Sequence, residues 1–355
     1  MLNRLMLTGV AALGSVAVAG WVTVANVNGQ ETKPPSVLAE SRWSVPMPNV
    51  QTPTAGGRQL WSDYRVRPDW AAGPSAAYRV QFNRMTGHWR LIDPSDKRLA
   101  WGTKVDCTEA LDRVRPWRDD DATDRSVTVC LHGLMRSRHC MNKIAGSIRS
   151  AGGYPIAVGY ASTRATVPDH AESLDEVISD WPEAWRLRFV GHSMGNIVTR
   201  CWVGDRRADD AGILGRCESM VMLGPPNQGS SIAKKLRRTG VFGWVAGSGG
   251  LNMAAPDDGE VDRTFESIAD RLATPPFPFA IIAGDLSHWI AGNPLLDGPN
   301  DLVVTVEETK LAGATRFETV PVAHALMMRD DDTIKMTLEM LDQLAVIKAL
   351  ASSDE

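Results

Sequence analysis

From residue 126 onward, short β-branched runs alternate with helix-patterned stretches. This alternation constrains the fold more than any other feature of the 355-residue chain. The runs Val127–Leu131, Pro155–Tyr160, Arg188–Val190, Ser219–Leu223, Phe279–Ala283 and Arg316–Val320 read as strands. Helical patterns fall between them at Met141–Ser150, Ala171–Trp185 and Asn196–Val203, and a last one covers Thr333–Leu350. Repeated strand–helix–strand units pack as a mostly parallel sheet flanked by helices, so the fold class is α/β over residues 76–350.

Two segments depart from this alternation. Tyr78–Asn83 and His88–Asp93 alternate apolar and polar residues around Arg84-Met85-Thr86-Gly87, which predicts a β-hairpin within 76–103, with a further strand at Arg98–Gly102. The connection from Gly229 to Pro278 is too long for a simple crossover. Residues 230–276 are expected to form a cap insertion. Its glycines between 240 and 250 stand among Val241, Phe242, Trp244, Val245, Leu251 and Met253. Such an apolar face suits acyl chains; packing on the sheet or a solvent-facing insertion is the alternative.

Before the body, Leu5 to Ala25 carry no charge and follow Arg4. Ala17-Val18-Ala19 has the A-x-A form of a cleavage site, so residues 1–25 read as a signal peptide or an uncleaved N-terminal membrane anchor. Either reading exports the rest of the chain and permits membrane association through the N-terminus. Residues 26–75 are rich in Pro, Gly, Ser and Thr and read as a linker. Trp43, Trp61 and Trp70 could instead pin that segment to the body.

Lys and Arg number 38 against 42 Asp and Glu, a net charge of −4, which argues against a nucleic-acid partner. Five cysteines without a Cys-x-x-Cys pair argue against a zinc ribbon or a dense disulfide framework. In an oxidising compartment Cys201 and Cys217 would be the pair to watch, separate buried thiols being equally compatible. Asp119-Asp120-Asp121 reads as a solvated turn rather than a metal site.

The chemistry centres on Gly191-His192-Ser193-Met194-Gly195, which follows the strand at Arg188–Val190 and opens the helix at Asn196. That is the strand–turn–helix setting of a nucleophile elbow. Gly191 and Gly195 let strand and helix close around an exposed Ser193 hydroxyl. A serine needs a base. Two of the seven histidines follow Ser193, His288 and His324. His324 lies in the loop after the last strand, where the order serine, acid, histidine places a base. Asp285, Asp297 and Asp301 qualify as the acid, and residue chemistry leaves Asp285 and Asp301 close. His132 and Gly133 follow the first strong strand, the usual position for a second oxyanion donor. Backbone donation is assigned to Leu134 and Met194.

Leu131-His132-Gly133-Leu134, Val190 through Gly195, Leu223-Gly224-Pro225-Pro226-Asn227-Gln228-Gly229-Ser230 and Asn300-Asp301-Leu302-Val303-Val304 together resemble a bacterial, triacylglycerol-lipase-like member of the α/β-hydrolase superfamily. The resemblance covers roughly residues 126–345. It implies an α/β-hydrolase fold with a cap, and it favours Asp301 over Asp285, because that family carries its acid in an Asp-Gly-Val-Val type segment. Leu302 stands where the family usually has Gly.

The expected activity is that of an exported serine hydrolase of lipid or acyl esters, with catalytic Ser193, Asp301 and His324, needing no cofactor or metal. An acyltransferase or amidase with the same triad, or a non-catalytic binding protein on this fold, are the alternatives.

Overall fold

The computed structural model describes residues 60–209, 212–231, 266–287 and 296–353. Strands β1 (Trp61–Pro68), β2 (Ala77–Asn83), β3 (Trp89–Ile92) and β4 (Arg98–Gly102) form an antiparallel sheet in the order β1-β2-β3-β4. Helix α1 (Lys104–Val114) covers it, started by a capping box in which Thr103 and Asp106 satisfy each other's backbone N–H groups. There follow β5 (Arg125–Leu131), α2 (Asn142–Ser150), β6 (Tyr154–Val158), α3 (Val167–Ser179), β7 (Trp185–His192) and α4 (Met194–Asp209). The chain continues with the short α5 (Gly212–Gly215), β8 (Cys217–Leu223), the short α6 (Glu266–Ala269), β9 (Phe279–Gly284), the short α7 (Val306–Thr309), β10 (Arg316–Val320) and α8 (Asp331–Ser353).

All pairings in the second sheet are parallel, in the order β10-β9-β8-β7-β5-β6. Its inner strands β5, β7, β8 and β9 are largely buried on both faces, so they read as continuous apolar runs, while the edge strand β10 is only partly buried. The period of two decides which layer each residue enters. Val129, Leu131, Phe189, Met220, Met222 and Ile281 join the core shared with α3 and α4. Cys130, Val190, Val221, Leu223 and Ile282 join the opposite core with α2 and α8.

The linker reading fails for residues 60–75. Trp61–Pro68 is a strand, and nearly all of it is buried. Its charges misled the polarity pattern because they are paired inside the protein. Asp63 accepts from Arg79 at 2.6 Å, from Gln81 at 2.6 Å and from the Gly159 backbone at 2.7 Å. Breaking such a buried pair by removing one partner costs about 3–5 kcal/mol. The bonds to Gly159, together with Ala161 N–H on Ser62 Oγ at 3.1 Å, dock β1 beside the end of β6. Trp70 does pin the segment, packing edge-on against Tyr154 and donating to the Pro155 carbonyl.

The predicted hairpin and its additional strand are β2, β3 and β4. Helix α3 begins four residues before the predicted Ala171, at a Thr166–Asp169 capping box, and ends before Pro182. All five cysteines are free thiols. Asp119–Ala122 is a single 3₁₀ turn in which Asp121 pairs with Arg115 at 2.8 Å. The predicted 230–276 cap lies, for residues 232–265, outside the described residues, as do residues 1–59 and His288.

Candidate active site

The crossover from β6 to β7 passes over β5, so the chain leaves β5 in one direction and β7 lies on its other side. Ligands of open α/β sheets bind outside the carboxyl ends of the strands at such a switch point. The ends of β5 and β7 carry Leu131-His132-Gly133-Leu134 and His192-Ser193-Met194.

Ser193 occupies the one-residue turn between β7 and α4 with φ of +54°. That left-handed conformation costs a non-glycine residue about 1–2 kcal/mol. It is held by the Ser193 N–H on the Leu223 carbonyl at 2.9 Å and by Asn196, whose N–H and side-chain amide both donate to the Ser193 carbonyl at 3.1 Å. The flanking glycines are required by space. A Cβ at Gly195 would stand 2.6 Å from the Leu131 carbonyl oxygen, and one at Gly191 would run into the Asn196 side chain. Met194 is the first residue of α4, where no intrahelical acceptor exists for its N–H.

The loop after β5, expected to supply an oxyanion donor, approaches the same turn. A Cβ at Gly133 would lie 3.0 Å from the Ser193 Cβ. Leu134 is half-buried, and among the described residues its N–H has no acceptor. His132 is fully buried and stacked on Tyr160 with ring centroids 4.0 Å apart. Its Nε2 accepts from Tyr160 N–H at 3.3 Å, so Nδ1 carries the proton and donates to the Gly133 carbonyl at 2.9 Å. Burial pushes its pKa down to about 4, which keeps it neutral.

His324 begins the 3₁₀ turn His324–Arg329 after β10. Its Nδ1 lies 2.6 Å from Asp301 Oδ2, and its N–H donates to the Asp301 carbonyl at 3.0 Å. Asp301 has no exposed surface. Its other oxygen accepts from Val303 and Val304 N–H groups at 3.0 and 2.7 Å. Asp285 is elsewhere engaged, capping Ser287 N–H at 2.9 Å. Of the two acids the residues left open, the fold brings Asp301 to His324.

Three residues outside the predicted set complete the arrangement. His192, buried beside Ser193, hydrogen-bonds the His324 carbonyl at 2.9 Å. Gly224 lets the chain pass close to His324, a Cβ there standing 3.0 Å from its Nδ1. Leu302 takes φ of +80° immediately after Asp301, the conformation a glycine would adopt without strain. Leu302 had a signal in the sequence, the family's glycine at that position, and Gly224 lies in the family-like segment Leu223–Ser230; His192 had none.

No family model and no curated protein matches the chain. Among solved structures it is similar to the mature lipase BlEst2 of Bacillus licheniformis, at 18% identity over 61% of this chain and 92% of that one, with a TM-score of 0.44. It is also similar to phospholipase PlaB of Legionella pneumophila, at 15% identity over 63% and 64% of the two chains, TM-score 0.40. A metagenomic carboxyl esterase, MGS0156, is similar at 15% identity over 64% and 75%, TM-score 0.38. The parallel sheet, the elbow at Ser193 between β7 and α4, and the histidine after the last strand make this an α/β-hydrolase fold.

Proposed function

We propose that the protein is a serine hydrolase of carboxylic esters, acting through Ser193, His324 and Asp301. The observation that carries this reading is the buried Asp301–His324 pair at 2.6 Å, on the same sheet edge as a serine held in a left-handed turn.

Ser193 Oγ attacks the acyl carbonyl while His324 Nε2 takes its proton. Asp301, bonded to Nδ1, fixes the tautomer and stabilises the imidazolium. The tetrahedral oxyanion is held by the N–H groups of Leu134 and Met194, both without a competing protein acceptor among the described residues. The imidazolium then protonates the leaving alcohol. Water, deprotonated by His324, releases the acid from the acyl-enzyme.

Lipid or acyl esters are the favoured substrates, on the apolar composition of residues 241–253. The uncharged Leu5–Ala25 run supports export, with the N-terminus as leader or anchor. Turnover of p-nitrophenyl esters from acetyl to palmitoyl, with Ser193→Ala as control, tests the reading. Hydrolysis lost in the variant supports it; hydrolysis that survives the substitution overturns it. Product analysis with an added acceptor alcohol separates hydrolysis from acyl transfer.

A further inference from the structure

The chain leaves β6 through Gly159-Tyr160-Ala161-Ser162, and β1 pins this segment at alternate residues. The Asp63 N–H donates to the Gly159 carbonyl at 2.9 Å, and the Asp63 carboxylate accepts from the Gly159 N–H at 2.7 Å. The Ala161 N–H donates to Ser62 Oγ at 3.1 Å. The other two residues, Tyr160 and Ser162, are buried and engage the loop after β5. Tyr160 stacks on His132, and its hydroxyl donates to the His132 carbonyl. Ser162 Oγ accepts from the Met135 N–H at 3.1 Å. His132 and Met135 flank Gly133-Leu134, so one pinned segment holds both ends of the stretch that carries the proposed donor Leu134.

The contact at Met135 opposes a strain. Gly133–Arg136 is a turn closed by the Arg136 N–H on the Gly133 carbonyl at 3.3 Å. Its third residue, Met135, has a φ of +58°, while Leu134 keeps a negative φ. That is the type II form, which calls for glycine or asparagine at the third position. Rotating the Leu134–Met135 peptide gives the type I form, in which methionine is unstrained. The rotation takes the Met135 N–H away from Ser162 and shifts the Leu134 backbone. One hydrogen bond moves such an equilibrium by about tenfold, comparable with what a non-glycine residue loses in the left-handed region.

We propose that Ser162 is a positioning residue for the reaction: its hydroxyl holds the Met135 N–H and so keeps the Gly133–Arg136 turn in the strained form that presents the Leu134 N–H to the oxyanion. The inference rests on the ester-hydrolase reading. Strand β1, which lies outside the lipase-like stretch 126–345, acts on the chemistry through this segment. Donors aimed at a developing charge stabilise it only when they are fixed beforehand. Ser162 supplies that fixity without touching the substrate.

The test uses the full chain with p-nitrophenyl butyrate as substrate and butylboronic acid as a probe that becomes tetrahedral on Ser193. Ser162→Ala keeps the space filled and removes the acceptor. It should lower kcat about tenfold with KM within about twofold, and raise the inhibition constant of the boronic acid by a similar factor. In a Met135→Gly background the same serine substitution should cost no more than about twofold, because glycine holds a positive φ without help. A residue that only supports the fold would lower the melting temperature without moving the kcat against KM split or making it depend on residue 135. Equal losses in both backgrounds, a loss confined to KM, or a kcat within twofold of wild type would overturn the role of Ser162 and leave the hydrolase reading standing. A wild type that neither hydrolyses the ester nor binds the boronic acid would overturn both.

Discussion

His192 donates from Nε2 to the backbone carbonyl of His324 across 2.9 Å. The direction follows from chemistry, since a carbonyl can only accept. The residue before the proposed nucleophile therefore holds the loop of the proposed base. Burial, then the neighbouring His324, pushes the His192 pKa well below its ordinary value, so the ring stays neutral and the bond persists. The bare Nδ1 faces the loop after β5, 2.9 Å from where a Cβ on Gly133 would stand.

Replacing His192 by Leu should therefore free the His324 loop. A displacement of about 1 Å costs on the order of 10²-fold in rate. The expected result is a fall in kcat of that size with KM little changed, measured on a short p-nitrophenyl ester. A kcat within twofold of wild type would show that the carbonyl needs no anchor.

Asp301→Asn should cut turnover by about 10⁴-fold, because an amide cannot hold the imidazole in the required tautomer. Asp285→Asn should be mild, since asparagine can still accept from Ser287 N–H. Steady-state kinetics on both variants decide, and the reverse ranking would move the acid to the end of β9.

Residue chemistry left those two aspartates level, and the reason is general. Strand identity is a local property: the apolar runs of β5, β7, β8 and β9 announced a parallel sheet because both faces are buried. Partnership between Asp301 and His324 is a contact across 23 residues, visible only once β9 and β10 are paired. The family pattern around Asp301 supplied what local chemistry could not. Strand β1 stayed hidden for the opposite reason. Asp63, Arg65 and Arg67 look like loop residues until Arg79, Glu176 and Asp180 are placed beside them. Helix α1 did carry a local signal, the Thr103-x-x-Asp106 capping box. His192 carried none, because any residue satisfies the elbow pattern at its position.

The backbone at Leu302 is strained by its φ of +80°. Leu302→Gly should leave stability level or raise it by up to about 1 kcal/mol, relief of the left-handed strain outweighing the entropy of glycine. Leu302→Val should lower it by about 1–2 kcal/mol, because β-branching is worst tolerated there. Denaturant midpoints for the two variants check this; a more stable valine variant would contradict it.

Stability should fall as the medium is acidified below the ordinary histidine value. His132 and His170 are buried, and desolvation pushes them down to about 4 and about 3, with His192 also depressed. The unfolded chain binds these protons from about pH 6.5 downward and the native state does not, so unfolding gains protons over that window. Stability is complete above about pH 6.5 and declines toward pH 4, by about 1.4 kcal/mol per unit for each such histidine. Unfolding free energies at pH 7, 6, 5 and 4.5 should trace this decline, and His170→Leu should flatten it. A flat profile in wild type would contradict the assignment.

The central claim is that Ser193 is a nucleophile activated by His324. It is tested most directly by treating the protein with a fluorophosphonate probe and locating the adduct by peptide mass spectrometry. The account predicts one phosphonyl group on Ser193, none in Ser193→Ala, and labelling slowed by orders of magnitude in His324→Ala. An adduct on another residue, or labelling of Ser193 at an unchanged rate without His324, would contradict it.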